Sequence, residues 1–283
     1  MSSHSLIKLA YKFLTPASES GDTLPPIIFL HGVTLSKEHW FDIPQVICNE
    51  TRRKAYVLDA RNHGDSEWSD EFNFEIIVDD LLHFMDQLNI PKAFLIGHSM
   101  GGITAYKTAL KKPDRVEGII VEDMLVRKLP KHLVEGPVAY IKAARRAIDL
   151  VPPDFDENGA HKCIFSQISR DIPSGFVNEE QSPYLDLKRS SYGRWAFKGN
   201  MEVLQKALEN EQTLMEDPSG EFRGPACFIY GGFSPFLGGK DEYHTRQFFP
   251  RAEFVTIEEA YHDIHKEHPL KFTEIVLNFL LKM

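Results

Sequence analysis

Short apolar runs alternate along this chain with segments whose apolar positions recur every three or four residues. Residues 6–13 (LIKLAYKF) read as an early strand, and 27–31 (IIFLH) as a buried strand ended by Gly32. Residues 55–59 (AYVLD) form the next strand. Over 74–89 the spacing becomes helical, with Ile76, Ile77, Leu81, Phe84, Met85 and Leu88 on one face. Residues 92–97 return to a strand that runs into a glycine-rich turn. A helix follows over 100–112, stopped by Pro113, and 116–122 is again a strand. This alternation predicts an α/β fold, a mostly parallel central sheet flanked by helices.

After Asp123 the pattern changes. Residues 125–222 hold no convincing buried strand but carry helical stretches at 138–150 and 200–214, broken by PP and PSG turns. Strand and helix alternate again at 226–231, 241–249 and 252–257, before a final helix over 268–282. The expected organisation is a first part of the core at 1–124, a helical cap insertion at 125–222, and a second part of the core at 223–283. The insertion is too long to be a plain loop.

Composition changes this picture little. The chain has 283 residues, 42% hydrophobic, enough for one sizeable core. A net charge of -9 argues against nucleic acid as a partner. The three cysteines, Cys48, Cys163 and Cys227, are scattered with no CxxC pair, which points to reduced thiols. No apolar run reaches the ~20 residues of a membrane span, and MSSHSLIKLAYKF has no signal-peptide core. The expected compartment is intracellular, cytoplasmic or mitochondrial.

The segment that carries chemistry is Gly97-His98-Ser99-Met100-Gly101-Gly102. It matches G-x-S-x-G, and it sits where that pattern has physical meaning, between an apolar strand and a helix. A strained strand-to-helix turn lifts the serine hydroxyl above the sheet edge, and Gly97 and Gly101 keep the flanks clear. The helix N-terminus adds free N–H groups that favour a developing anion. Ser99 is thus the candidate nucleophile.

Serine needs a base. Ala260-Tyr261-His262-Asp263-Ile264-His265 follows the last strand, where a loop can reach back over the sheet edge, so His262 is the candidate. His262, His265 and His268 recur every three residues, a spacing zinc could use. No Cys-bearing or carboxylate-rich second element accompanies them, so no metal is expected, and His265 is expected to pack or hydrogen-bond nearby. The acid must hold the imidazole and stabilise its cation. The end of strand 116–122 offers Asp123, with Glu122 alternating to the other face. The end of 226–231 offers Ser234 where an acid would otherwise stand. Asp123 is therefore the candidate acid, with Asp241 in reserve, and Ser234 is either a supporting hydroxyl or a turn residue.

Acyl transfer also needs donors for an oxyanion. The Met100 N–H follows the nucleophile, and the Val33 N–H follows the first buried strand, where Gly32 allows close approach. His31 is expected to brace that loop. Asp59-Ala60-Arg61-Asn62-His63-Gly64-Asp65-Ser66 is expected to be scaffolding beside the elbow.

At these residues the chain resembles the α/β-hydrolase superfamily. More narrowly, it resembles the abhydrolase-domain esterases grouped with a mitochondrial lipase-like protein and small bacterial esterases. The matching pieces are HGVTLSKEHW, DARNHGDS, GHSMGG, the Asp123 strand end, GGFSPF and AYHDIHKEHP, from about residue 27 to 282. The resemblance implies the acid at Asp123 and a role for Ser234. Tyr261 departs from it, since related proteins usually carry glycine before the histidine. The implied function is hydrolysis of a carboxylic ester, acyl or lipid-like, without a cofactor. An acyltransferase or thioesterase using the same acyl-enzyme, or a ligand-binding receptor on this fold, are the competing readings. The cap aromatics Phe155, Phe165, Phe176, Tyr184, Tyr192, Trp195 and Phe197 would suit an acyl chain, or would simply pack the cap.

Overall fold

The computed structural model describes residues 4–17, 24–172, 185–237 and 242–282. Its centre is a seven-stranded sheet in the order β1-β3-β2-β4-β5-β8-β9. The strands are β1 (Tyr11–Leu14), β2 (Ile27–Leu30), β3 (Ala55–Leu58), β4 (Ala93–His98), β5 (Val116–Glu122), β8 (Ala226–Gly231) and β9 (Ala252–Ile257). All pairings are parallel except β1 with β3. β2, β4 and β8 are buried along their whole length, which is why they read as unbroken apolar runs.

Helices cover both faces. α2 (Phe74–Gln87) and α3 (Met100–Lys111) pack with one apolar cluster, which includes Leu30, Phe84, Met100, Ile103 and Tyr106. α1 (Ile43–Thr51) and α10 (Pro269–Leu280) close the other face over Phe29, Trp40, Ile96, Cys227 and Phe272. Burying a side chain such as Phe29 or Ile96 contributes about 1.5–3 kcal/mol each. α2 is capped by Asn73, whose side chain accepts from the Ile76 N–H.

The early strand is shorter than the alternation over 6–13 predicts. Ile7 and Leu9 are buried, but their neighbourhood does not ladder. The Ile7 N–H goes to Asp80 Oδ1, the Lys8 N–H to Glu67 and the Ala10 N–H to Ser66 Oγ. Side chains thus take the donors that a sheet neighbour would have used.

Between β5 and β8 the chain forms α4 (Lys131–Ile148), α5 (Glu157–Asp171), β6 (Leu187–Arg189), β7 (Trp195–Phe197), α6 (Met201–Glu209) and α7 (Glu211–Leu214). The β6–β7 hairpin corrects the wholly helical expectation. Its strands have three residues each, too short to give a periodic signal. The hairpin is held to the core loop around Asn62. The Asn200 N–H donates to Asn62 O at 2.8 Å, and Trp68 Nε1 donates to Lys198 O at 3.0 Å. Near the chain's end lie α8 (Glu242–Phe248) and the one-turn α9 (Ile264–Glu267). Among the described residues no helix is long and apolar enough to cross a membrane.

Candidate active site

Ser99 stands between β4 and α3 with φ 53° and ψ −116°, a backbone region strained for any residue with a Cβ. The strain is held by packing. A Cβ on Gly97 would run into the Gly101 carbonyl, and one on Gly101 would run into the Leu30 carbonyl. Both glycines are therefore set by backbone against backbone, as the motif predicts. The same contact lays the first turn of α3 against the end of β2. Met100 N–H and the Gly32–Val33 loop thereby come to one edge of the sheet. Gly32 faces His98, whose Nδ1 would lie 2.8 Å from an added Cβ.

The loop after β2 is braced from the side. His31 Nε2 accepts from the Ala60 N–H at 3.0 Å, and its Nδ1 lies 2.7 Å from Gly32 O. His63 Nε2 accepts from the Thr34 N–H at 3.2 Å. Buried Asp59 accepts from Lys37 Nζ and from the Lys37 and Asp65 N–H groups. These contacts give residues 59–66 the scaffolding part expected of them.

Asp123 is fully buried at the end of β5. Its Oδ1 accepts from the Gly231 N–H at 3.0 Å. Its Oδ2 accepts from the Ser234 hydroxyl and, at 2.6 Å, from His262 Nδ1. The carboxylate therefore grips the end of β8 and the histidine loop together. Glu122 points the other way and bonds His265 at 2.8–2.9 Å. Asp241, the reserve acid, lies outside the described residues, as do the cap aromatics Phe176 and Tyr184.

Burial lowers the His262 pKa, but the hydrogen bond and charge of Asp123 outweigh it and hold the imidazole above the ordinary 6.5. The ring is a third exposed, and Phe236 stacks on it at 4.8 Å between centroids. Among the described residues no hydrogen bond joins Ser99 Oγ to His262; such catalytic bonds often tighten as substrate binds. Tyr261 is exposed and packs against Phe233, ring centroids 5.2 Å apart.

Two of the cap aromatics fall on the packing or solvent side of that choice. Tyr192 is 91% exposed, so it faces solvent rather than a site. Trp195 donates to Phe155 O and lies under the Arg189 guanidinium, an arrangement that packs the hairpin itself. In the other direction, His98 carries more than the motif letters suggest. It is buried, its ring lies 4.8 Å from His262, and its Nε2 donates to His262 O at 3.1 Å. The sequence signals it only by its place directly before the nucleophile.

His98, Glu122 and His265 offer ligand atoms within 4.8 Å of one another and could hold a metal ion. Both Glu122 oxygens are already hydrogen-bonded to His265, which balances the buried carboxylate without one.

Comparison with known proteins agrees with this architecture. The sequence model for the alpha/beta hydrolase fold matches residues 25–269. The sn-1-specific diacylglycerol lipase ABHD11 of Danio rerio is 32% identical over 260 residues, 92% of this chain and 79% of the relative. Ethanol acetyltransferase 1 of Cyberlindnera fabianii is 24% identical, covering 96% of this chain and 86% of its own. Among solved structures, a marine microorganism esterase superposes with a TM-score of 0.78 at 28% identity, covering 96% of this chain and 99% of that one. The chain belongs to the α/β-hydrolase fold family. Within that fold it falls in the esterase- and lipase-like subgroup, the carboxylic ester hydrolases.

Proposed function

We propose that the protein is a serine hydrolase that cleaves acyl or lipid-like esters through Ser99, His262 and Asp123 by way of an acyl-enzyme. The observation that carries this reading is the 2.6 Å Asp123–His262 bond set at the same sheet edge as the Ser99 elbow.

In the first half-reaction Ser99 Oγ attacks the ester carbonyl while His262 Nε2 takes its proton. The Val33 and Met100 N–H groups receive the oxyanion, and such donors are each worth about 3–4 kcal/mol in the transition state. The cation on His262 is stabilised by Asp123, itself held by Gly231 N–H and the Ser234 hydroxyl. His262 then protonates the departing alkoxide. In the second half-reaction water gives its proton to His262 and attacks the acyl carbon, and Ser99 leaves with that proton. Gly32, Gly97 and Gly101 support the geometry by allowing the close backbone approaches described above.

Residues 125–222 serve in this reading as a cap over the edge that holds Ser99, with 1–124 and 223–283 as the two parts of the core. The diacylglycerol lipases among the relatives favour a lipid-like ester. A second reading has its own observation, the relatives named as alcohol acetyltransferases. There an alcohol replaces water in the second half-reaction.

A fluorophosphonate probe tests the reading. Labelling of the wild type and none of Ser99→Ala is expected. Labelling that survives in Ser99→Ala contradicts it. Product analysis with an ethyl ester donor and a competing longer alcohol then separates the acceptors: free acid marks a hydrolase, and new ester a transferase.

A further inference from the structure

His98 and Glu122 are direct partners across the parallel β4–β5 ladder, one residue before Ser99 and Asp123. Consecutive side chains leave a strand in opposite directions. Two rows result at the strand ends. Ser99 and Asp123 form the row that meets His262. His98 and Glu122 form a second row, fully enclosed, and it meets the same loop from beneath.

The contacts are specific. Glu122 Oε1 accepts from the His265 main-chain N–H at 2.8 Å, and both its oxygens lie 2.9 Å from His265 Nδ1. The Glu122 carbonyl accepts from the Ser99 N–H at 3.0 Å, so this one residue touches the nucleophile's backbone and the loop that carries His262. His98 Nε2 donates to His262 O and lies 3.4 Å from Asp263 Oδ1. The His265 ring is packed by Trp40 and His39, with centroids at 4.5 and 5.2 Å. Water is excluded, since neither side chain of the Glu122–His265 pair is more than 1% exposed. Burial raises the Glu122 carboxyl; burial lowers the His265 imidazole, but the Glu122 charge more than offsets that. His98, desolvated beside His262 and His265, is held well below 6.5 and stays neutral. A neutral imidazole retains one bare nitrogen, and His98 Nδ1 has no partner.

On the reading of His262 as base, we propose that Glu122 and His265, with His98, are positioning residues that fix the Tyr261–His265 loop to the ends of β4 and β5, so that His262 stands ready over Ser99. The catalytic acid–imidazole pair thus rests on a second, buried acid–imidazole pair built on the residue just before Asp123. A loop tied only at Asp123 could swing about that bond. Ties at His262 O and at His265 remove the swing. A misplacement of roughly 1 Å at such a site costs about 10²-fold in rate.

The test compares the full-length enzyme with Glu122→Ala, Glu122→Gln, His265→Leu and His265→Asn, with His262→Ala as the control. Turnover of a p-nitrophenyl ester is normalised to sites titrated by fluorophosphonate. The low-field proton resonance of the Asp123–His262 bond is followed by NMR. Glu122→Ala and His265→Leu are expected to lower kcat about 10²-fold with KM within about threefold, and to broaden or displace that resonance. Glu122→Gln, which still accepts from the His265 N–H, and His265→Asn, which still donates toward Glu122, are expected to restore most of kcat. If Glu122→Ala does not fold, the His265 pair carries the same comparison. A lower melting temperature with unchanged kcat per titrated site and an unchanged resonance overturns the proposal. So does one equivalent of zinc in the purified protein that Glu122→Ala removes, since the three residues would then be metal ligands. An active His262→Ala overturns the reading of the site itself, whereas an inactive one beside fully active Glu122 and His265 variants overturns this inference alone.

Discussion

His262 Nδ1 lies 2.6 Å from Asp123 Oδ2, across a sequence separation of 139 residues that contains α4 to α8 and β6 to β9. The bond closes because β5 and β8 are neighbours in the sheet and the histidine loop folds over the end of β8. Asp123→Asn leaves the shape intact but gives the imidazole the wrong tautomer partner. Its kcat is expected to fall about 10⁴-fold with the fold retained, as read by steady-state kinetics beside circular dichroism. Asp241→Asn is expected to leave kcat unchanged. A large loss there, with Asp123→Asn active, assigns the acid to the other strand end.

Ser234 donates to the same carboxylate oxygen that receives His262. Its removal leaves a fully buried carboxylate one hydrogen bond short. Ser234→Ala is expected to reduce kcat about tenfold, within the range for a hydrogen bond to a charged group, with little change in KM. A variant of unaltered kcat returns Ser234 to its role in the turn, where it accepts from the Phe236 N–H.

The raised pKa of His262 fixes a sign for pH dependence. Only the neutral imidazole can take a proton from Ser99. The acid limb of kcat/KM is therefore expected above 6.5 in the wild type. Without the Asp123 charge the lowering by burial remains, so the limb in Asp123→Asn is expected below that of the wild type. Stability follows the same linkage. A folded-state pKa above the unfolded one contributes stability that is fully present below pH 6.5 and is lost as pH rises through the raised value. The melting temperature of wild type minus that of His262→Gln, measured from pH 5 to 9, is expected to shrink in that direction. A difference that grows with pH contradicts it.

Gly101 faces the Leu30 carbonyl with no room for a methyl group. Gly101→Ala must push α3 away from β2, a form of overpacking that costs about 1–3 kcal/mol or more. A lower melting temperature and a loss of fluorophosphonate labelling rate are expected together. Gly136, inside α4 with nothing within 4 Å of an added Cβ, is the matched control, and Gly136→Ala is expected to leave the labelling rate unchanged and not to lower the melting temperature.

Much of this arrangement is legible in the residues, and the parts that are not have a common cause. The runs at 27–31, 92–97 and 226–231 announce buried parallel strands because both faces of each strand are covered. The G-x-S-x-G turn is legible because a Cβ at Gly97 or Gly101 meets backbone. Asp123 could be inferred because Ser234 stands at the alternative strand end, and the structure brings Asp123, Ser234 and His262 together. What sequence did not reveal depends on closure between distant segments. Strand alternation places Glu122 on the opposite face from Asp123, yet its bond to His265 arises only when α9 folds across β5. α5 buries only Ala160, Ile164 and Ile168 along its fifteen residues, a stripe too thin to stand out in the sequence. The β6–β7 hairpin escaped because tertiary contacts such as Asn62–Asn200 and Trp68–Lys198, rather than periodicity, hold it.

Turnover of p-nitrophenyl esters from acetate to laurate, by wild type beside Ser99→Ala, tests the central claim most directly. The account predicts activity in the wild type with an optimum in chain length, and none above background in Ser99→Ala. Turnover by Ser99→Ala at the wild-type rate, or none by a folded wild type with any ester, would contradict it.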